Sequence, residues 1–239
     1  MITNYSPNFS TPSRNINKIK YIIFHYTGMR SENEAINRLL DVKSKVSCHY
    51  FIKKNGKIIL MVPGNYEAWH AGKSNWKNDK SLNKSSIGIE ISNKGHNHGY
   101  EKFSNNQILS LIKLVKLLIK KYKINKKNIL GHSDISTERK KDPGEKFPWQ
   151  FLSKKGIGIW HNIDPTKLKK LRREKITVSE RSKGIKLLKN IGYFNNKLND
   201  KKHSKLIKSF QRRFRQELVD GIMDLECLII AEKLRKLYK

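Results

Sequence analysis

The sequence predicts an α/β domain that ends near residue 165, followed by a small domain built only of helices. Three observations predict this arrangement. Short apolar runs with the composition of strands alternate with segments whose apolar residues recur at helical spacing. Ionisable residues stand at the ends of several runs, and residues 179–239 carry helical patterns alone. A chain of 239 residues is long enough for one full core and a small second domain.

The elements of the first domain follow from local patterns. Residues 20–25 are an apolar run that ends in His25, which predicts a buried strand. Ser31 and Glu34 have the spacing of a capping box, so a helix is expected to begin there. Asn55-Gly56 favours the two-residue turn of a β-hairpin. In chain order, the remaining predicted elements are the hairpin strands 46–53 and 57–62, a loop over 64–86, a strand over 87–92, a helix from Ser104 to about Lys123, a strand over 128–131 and a loop over 132–149.

The last third of the chain has a different character. Residues 167–175 form a basic connector, and three helical patterns follow it, with a turn predicted at Asp220-Gly221. We therefore predict two domains, residues 1–165 and 179–239, joined by a basic linker over 166–178. The apolar residues of the three patterns are Ile185, Leu187, Leu188 and Ile191, then Leu206, Ile207, Phe210 and Phe214, then Leu225, Leu228, Ile229 and Leu234.

The chain carries a strong positive charge. Its 51 Lys and Arg outnumber 20 Asp and Glu, which gives a formal net charge of +31 at pH 7. Such a charge attracts polyanions such as nucleic acid, an anionic membrane or an acidic cell-wall polymer. Only 11 of the basic residues are Arg, and the lysines are spread over the whole chain, which is also typical of a biased coding composition. Because no groove-reading motif or aromatic stacking platform accompanies the charge, nucleic-acid binding is not expected.

The sequence leaves the compartment open. Cys48 and Cys227 stand in different predicted domains, so a structural disulfide between them is not expected. No apolar signal-peptide core is visible in residues 1–14. We therefore expect either the cell envelope or periplasm, if the protein is a mature or otherwise exported form, or the cytoplasm. Lysines interrupt the longest apolar stretch, Ile108–Tyr122, which predicts an amphipathic helix and no membrane span.

Two histidines and an aspartate are placed as metal ligands can be. His25 and His132 each end an apolar run, and Asp142 precedes Pro143 in a loop. A catalytic zinc ion takes three protein ligands with nitrogen, oxygen or sulfur donors and keeps a fourth position open for water. A histidine beside a strand is more often a core or surface residue, and an aspartate before proline commonly starts a turn. The residues alone leave both interpretations open.

Six segments, together with residues 5–9, carry a resemblance to a known family. They run in order from Tyr5 to Trp149 and resemble the type 2 N-acetylmuramoyl-L-alanine amidases, in particular the AmiD-type branch. The segments are 22–27 (IIFHYT), 46–52 (VSCHYFI), 69–72 (WHAG), 86–91 (SIGIEI), 131–135 (GHSDI) and 142–149, which contains Asp-Pro-Gly and Phe-Pro-Trp.

The resemblance implies a fold, an activity and a site. It implies a mixed central sheet flanked by helices, and hydrolysis of the amide bond between the muramic acid lactyl group and L-alanine, in peptidoglycan or in anhydro-muropeptides during murein recycling. It also implies one zinc ion per chain, held by His25, His132 and Asp142. Glu90 corresponds to the catalytic carboxylate of the family, which exchanges protons with water and the leaving amine. Lys140 corresponds to the lysine that stabilises the transition state.

Alternatives remain for both catalytic positions. Glu90 could be an exposed strand residue paired with a lysine, and Lys140 stands in a basic run, Arg139–Lys141, that could be a solvated cluster. Cys48, which precedes His49, is a further candidate as a fourth zinc ligand, although we do not expect it to be one.

Other residues of the matched segments have predicted roles as well. Trp69, His70, Ala71 and Gly72 are expected to line the substrate groove, where small residues let a glycan or peptide approach. His49 is expected to be structural. The three histidines that belong to no motif are placed at the surface by default: His96, His98 and His161.

The helical C-terminal region resembles the three-helix peptidoglycan-binding domain that often follows such amidases. Its matching segments are 187–193 (LLKNIGY), 210–214 (FQRRF) and 219–224 (VDGIMD). The alternative is that these helices only pack against the first domain. A peptidoglycan-binding protein without catalysis and a basic nucleic-acid binder are the rival functions, and the intact set of ligands argues against the former. The partner is therefore expected to be peptidoglycan or a muropeptide, and the protein to be a monomer.

Overall fold

The computed structural model of the protein describes residues 2–193 and 200–238. Its centre is a sheet of six strands: β1 (Ile2–Thr3), β2 (Tyr21–Tyr26), β3 (Tyr50–Ile52), β4 (Ile58–Leu60), β5 (Ser86–Ile91) and β6 (Ile129–Gly131). Their spatial order is β1-β4-β3-β5-β2-β6. Strands β3 and β4 pair antiparallel and every other pair in the sheet is parallel, so the sheet is mixed, as predicted.

Eight α-helices accompany the sheet in the described ranges. They are α1 (Glu32–Leu40), α2 (Asn105–Tyr122), α3 (His132–Ile135), α4 (Trp149–Lys154), α5 (Pro165–Leu171), α6 (Val178–Ile191), α7 (Asp200–Phe214) and α8 (Leu225–Leu237). Two small antiparallel ribbons pair Phe9–Ser10 with Glu67–Ala68 and Asn75–Trp76 with Asp79–Lys80.

The predicted helix starts are confirmed, with one difference in detail. Ser104 and Gln107 form a complete capping box at the start of α2. Ser31 caps α1 by accepting a hydrogen bond from the backbone of Glu34. The Glu34 carboxylate, however, accepts from the backbone N–H of Arg30, one residue before the cap.

Three segments differ from the predicted elements. The strand predicted over 46–53 is regular only at Tyr50–Ile52; before it, the backbone N–H of Ser47 donates to the carbonyl of Trp69, which belongs to no strand of the sheet. The predicted loop 132–149 begins with the short helix α3. The predicted linker contains α5, because Asp164 caps it, Pro165 suits its first turn and Leu168 is buried.

One continuous apolar core joins the sheet to the C-terminal helices. It includes the buried faces of α6, α7 and α8, among them Leu188, Phe210 and Leu234, as the helical patterns predicted. Trp76, from the loop before β5, packs with its ring centroid 5.1 Å from that of Tyr193, which directly follows α6 and Gly192. The C-terminal helices therefore share a core with the sheet. The connector between the first two of them, residues 194–199, lies outside the described residues.

A second, smaller apolar cluster lies under α1. It contains Ala35, Leu39, Cys48, Phe51, Ile59 and Met61. Cys48 and Cys227 are both free and buried, in agreement with the prediction that they form no disulfide. Within the described ranges, no helix is long and apolar enough to cross a membrane.

Candidate metal centre

Three parallel strands bring the predicted ligands to one edge of the sheet. His25 is the penultimate residue of β2, and Glu90 lies directly beside it on the neighbouring strand β5. His132 starts α3 immediately after β6, the strand on the other side of β2. Since the carboxyl ends of parallel strands share one edge, the three side chains meet there. Asp142 joins them because the backbone N–H of Ser133 donates to its carbonyl oxygen at 2.8 Å.

The ligand atoms of these residues converge. His25 Nδ1 lies 2.9 Å from His132 Nδ1 and 3.0 Å from Asp142 Oδ2, and His132 Nδ1 lies 3.0 Å from the same oxygen. All three residues are buried, and they form a group able to hold a metal ion. Two imidazole nitrogens and one carboxylate oxygen are a donor set typical of catalytic zinc.

In each histidine, the hydrogen bond of the Nε2 atom determines which ring nitrogen carries the proton. His132 Nε2 donates to the carbonyl oxygen of Ala71 at 3.1 Å, which leaves Nδ1 with its lone pair toward the cluster. His25 Nε2 lies 3.0 Å from His70 Nδ1, and His70 Nε2 lies 3.1 Å from Ser86 Oγ. The Ser86 hydroxyl donates to the carbonyl of Leu82, so it accepts the His70 proton. His70 Nδ1 is therefore the acceptor for His25, whose Nδ1 also presents a lone pair.

The environment keeps these groups in the protonation states that bind cations. Burial, together with repulsion from His132, lowers the pKa of His25 to about 4. Burial also lowers the pKa of His70 well below its usual value, so its ring is neutral and can accept from His25. Burial alone would raise the pKa of Asp142, but the charge and hydrogen bonds of His132 and His25 hold it below its usual range. A neutral imidazole and an ionised carboxylate are the forms that ligate metal.

Two glycines make the approach of these residues possible. A Cβ on Gly88 of β5 would lie 2.4 Å from Cγ of His70, so only glycine leaves room for the ring that supports His25. A Cβ on Gly131 would lie 2.7 Å from Cδ of Pro143. The chain after Asp142 therefore passes directly against the end of β6.

Glu90 and Lys140 face the same site. Glu90 Oε2 is buried and has no hydrogen-bond partner within the part of the chain that the structure describes. Burial, followed by the negative charge of Asp142, raises the pKa of Glu90 well above its usual value, and the charge of Lys140 opposes this rise. The backbone of Lys140 is anchored to the carbonyl of Ser136 at 2.9 Å. A carboxyl group with a raised pKa and an unpartnered oxygen beside a metal centre is suited to proton transfer.

Comparison with known proteins decides the family. The model of the N-acetylmuramoyl-L-alanine amidase family matches residues 15–145 of this chain. That range is more than half of the 239 residues and includes His25, Glu90, His132, Lys140 and Asp142. The chain belongs to this amidase family.

Relatives cover nearly the whole amidase chain. AmiD of Escherichia coli is 35% identical over an alignment of 234 positions, which covers 92% of this chain and 84% of AmiD. The solved structure of AmiD with the substrate anhydro-N-acetylmuramic acid-L-Ala-D-gamma-Glu-L-Lys matches with a TM-score of 0.81 and 33% identity, over 96% of this chain and 92% of that one. AmpDh3 of Pseudomonas aeruginosa in complex with anhydromuramic pentapeptide matches with a TM-score of 0.81 and 29% identity, over 100% and 99%. AmpD matches with a TM-score of 0.56 and 25% identity, over 64% of this chain and 93% of its own.

The predicted substrate residues of the amidase do not all reach its open cavity. The cavity has a volume of about 450 Å³ and is lined by Trp69 and His70, together with His25, Glu90, Lys140 and Asp142. Ala71 is fully buried and contributes its carbonyl oxygen, which accepts from His132 and from Arg139. Gly72 is not among the lining residues; it adopts φ 55° beside the guanidinium of Arg139.

Sequence reasoning missed several residues of the amidase cavity. Tyr26 and Asn97 line it, as do three basic side chains, Arg38, Arg139 and Lys141. Tyr26 follows a ligand at a strand end, and this position could have identified it. Arg38 lies on the face of α1 that turns toward the site, and a helical pattern alone does not reveal which neighbour a polar face meets.

The histidines outside the motifs are placed differently from the prediction. His161 was predicted at the surface, and this is wrong: it is buried, its Nε2 lies 3.2 Å from the carbonyl oxygen of Phe214, and its Nδ1 accepts from the backbone of Ile163. His96 is half-buried, between the hydroxyl of Tyr26 at 2.8 Å and the carboxylate of Glu145 at 3.1 Å. His98 is exposed, as predicted.

Cys48 and His49, in the segment 46–52, have structural surroundings. His49 Nδ1 accepts from the backbone N–H of Gly88 at 2.9 Å, and the ring is fully buried, in agreement with its predicted role. Cys48 Sγ contacts Met61 Sδ at 3.7 Å, and it is not part of the metal-binding group found among the described residues. Burial and the nearby charge of Glu90 raise the pKa of the Cys48 thiol, which disfavours the thiolate that a ligand requires.

Proposed function

We propose that this amidase is zinc-dependent and hydrolyses the amide bond between the lactyl group of N-acetylmuramic acid, or its anhydro form, and L-alanine. The observation that carries the proposal is the convergence of His25 Nδ1, His132 Nδ1 and Asp142 Oδ2 within 3.0 Å beside the unpartnered carboxyl oxygen of Glu90. The anhydro form is included because AmiD and AmpDh3 have been solved with anhydromuramic ligands.

The donor set supports zinc as the ion. With two neutral imidazoles and one carboxylate as ligands, a divalent ion would keep a net charge of +1. The side that faces the cavity would stay open. A bound zinc ion supplies Lewis-acid polarisation of the substrate carbonyl and acidifies water toward a pKa of about 7. The hydrogen bonds of His25 to His70 and of His132 to Ala71 keep both lone pairs aimed at one point.

Glu90 is proposed to move the proton. Its free oxygen would accept a proton from the attacking water, and the same oxygen would deliver that proton to the alanine nitrogen as the amide bond breaks. An amide nitrogen leaves readily only when it is protonated. Burial, followed by the negative charge of Asp142, raises the pKa of Glu90, which favours retention of the proton on this carboxyl group until the amide bond breaks.

Lys140 is proposed to stabilise the negative charge that develops on the carbonyl oxygen. It lines the cavity with Glu90, and its charge acts on both Glu90 and His25. Loss of one such donor typically costs about 100-fold to 1000-fold in rate. The basic side chains of Arg38, Arg139 and Lys141 around the same cavity suit a substrate whose stem peptide carries carboxylates.

Mass spectrometry of muropeptide digests tests the proposal. Wild-type protein is expected to release free stem peptides from anhydro-muropeptides, and a zinc chelator is expected to stop the release until zinc is restored. Glu90→Gln keeps the size of the side chain but cannot accept a proton, so it is expected to bind zinc and release no peptide. An uncleaved substrate with wild-type protein, or an active Glu90→Gln variant, would overturn the proposal.

A further inference from the structure

Helix α7 and Tyr193, the second residue after α6, contact the segment that carries two of the proposed metal ligands. We propose that Arg213 and Tyr193 are positioning residues for the metal centre: they hold Asp134, and through it His132, so that the C-terminal helices are part of the active site's framework. This inference rests on the proposed function, since it concerns the ligands of the same ion. It assigns these helices a role besides any binding of glycan.

One face of α7 follows the segment from Asp134 to Phe147 over its length. The residues in contact recur at helical spacing, which places them on a single stripe. The contacts are Lys205 Nζ with Glu138 O at 3.3 Å, Ser209 Oγ with Thr137 O at 3.5 Å, Arg212 Nε with the Glu145 carboxylate at 4.0 Å, Arg213 Nη1 with Asp134 Oδ2 at 2.6 Å, and, just past the end of the helix, Gln216 Nε2 with Phe147 O at 2.7 Å. His132, Lys140 and Asp142 all lie on or directly before this segment.

Asp134 makes the strongest of these contacts. It stands two residues after His132, in the same short helix α3, and its side chain is about 1% exposed, as is that of Arg213. Its Oδ2 accepts from Arg213 and from the backbone of Gly131 at 2.8 Å, while its Oδ1 accepts from the Tyr193 hydroxyl at 2.7 Å. Both oxygens of a fully buried carboxylate are thus satisfied, and two of the three donors come from the C-terminal helical region.

Arg213 itself connects both sides of His132. Its Nη2 donates to the carbonyl of Ile129 at 3.0 Å, in β6, while its Nη1 holds Asp134 in α3. Its guanidinium also lies 4.2 Å from the ring centroid of Trp149, at the end of the same segment. One planar guanidinium group therefore holds both the strand before His132 and the helical turn after it. A partner lost from such a buried pair leaves an uncompensated charge, so the surrounding backbone must move.

The same helical region supplies matched controls. Arg215, two residues after Arg213, is equally buried, but its carboxylate partners are Asp220 and Asp224, which belong to the helical region itself. Tyr238 is buried and packs on Trp76 as Tyr193 does, yet its hydroxyl has no hydrogen-bond partner in the described residues. Each control has the same side chain as a test residue but makes no hydrogen bond or ion pair with Asp134.

The experiment compares full-length Arg213→Lys with Arg215→Lys, and Tyr193→Phe with Tyr238→Phe. The zinc dissociation constant is measured by competition with a chelator, together with the Tm of the zinc-free protein and the visible spectrum of the cobalt-substituted protein. Arg213→Lys and Tyr193→Phe are expected to weaken zinc binding by about 10-fold to 100-fold and to change the cobalt spectrum. Arg215→Lys is expected to lower Tm, whereas Tyr238→Phe removes an unpartnered hydroxyl and should leave Tm unchanged or raise it. Neither control is expected to change the zinc dissociation constant by more than about 2-fold or to alter the cobalt spectrum.

The outcomes separate the two proposals. If the wild-type protein binds zinc and cleaves muropeptides but each test variant behaves as its control does, the positioning role is wrong and the proposed function stands. If the wild-type protein binds no zinc, the proposed function is wrong and the positioning role falls with it. Should Arg213→Lys fail to fold, Tyr193→Phe alone decides, because it removes a single hydroxyl.

Discussion

The two histidines of the proposed metal centre are held in different ways. His25 lies within the sheet and is supported by a short relay, His70 to Ser86, that is built from residues 70–86 and the neighbouring strand. His132 lies beyond the end of its strand and is bracketed by contacts from residues 193 and 213, far along the chain. The comparison teaches that one half of the site is a property of the sheet, whereas the other half depends on helices added to it.

Asp142→Ala should have the largest effect, because Asp142 is the proposed ligand whose carboxylate contacts both halves of the site. Its Oδ2 contacts His25 Nδ1 and His132 Nδ1 at 3.0 Å each, so the variant leaves two buried lone pairs facing each other without the anion that balances a cation. Zinc content of the purified protein and amidase activity are both expected to fall to background. Asp142→Glu keeps the charge and should retain part of the zinc. Full activity and full zinc content in Asp142→Ala would show that the metal site has been misassigned.

Gly88→Ala should give the next largest effect, and it should disturb only the half of the site that contains His25. The added Cβ would lie 2.4 Å from His70 Cγ, so the ring must leave the position in which it accepts from His25. We expect zinc binding to weaken by about 10-fold to 100-fold and stability to fall by about 1 to 3 kcal/mol. Ile89→Val is the control, since it costs about 0.5 to 1.5 kcal/mol in the same strand without touching His70. Equal zinc affinities in the two variants would contradict a supporting role for His70.

Sequence reasoning reached the sheet half of the site more easily than the other half. The strand ending in His25 and the strand carrying Glu90 are visible as apolar runs, and their ends point to the site because parallel strands share an edge. The hydrogen bond from His25 to His70 is not visible, since it joins two motifs whose distance depends on the loop between them. The sequence therefore placed His70 in the groove but missed its supporting role.

The other half depended on information that a local pattern does not contain. Asp134 stands in a recognised motif and Arg213 in a recognisable helix, but nothing in either pattern pairs them across 79 residues. The burial of His161 was missed for the same reason, because its partner is the carbonyl at the end of α7. Helix α5 was missed because its lysines mask a single buried leucine, Leu168. For a residue whose contacts lie far away in the sequence, composition alone therefore predicts the wrong placement.

His70→Asn should have a smaller effect than His70→Ala and shows which nitrogen matters. Asparagine places an oxygen near the position of Nδ1, so it can still accept from His25 Nε2, although it no longer reaches Ser86. We expect His70→Ala to weaken zinc binding by about 10-fold or more and His70→Asn by less. Isothermal titration of zinc into the metal-free variants measures both. If His70→Asn binds as weakly as His70→Ala, orientation of His25 by its far nitrogen is not what His70 contributes.

Lys140→Met should produce the smallest change in binding but a characteristic change in pH dependence, and it couples the two halves of the site. Glu90 must be ionised to accept a proton, so activity is lost as pH falls through its raised pKa. The charge of Lys140 lowers that pKa, while burial and Asp142 raise it. Removing the charge should therefore move the acid limb of kcat/KM to higher pH, in addition to lowering the plateau. Lys141→Met, the exposed neighbour, removes the same charge from the rim and should leave the limb in place. If the acid limb moves equally in both variants, the overall positive charge of the chain sets the pKa of Glu90. If only Lys140→Met moves it, the loop that α7 contacts adjusts the pKa of this residue of the sheet.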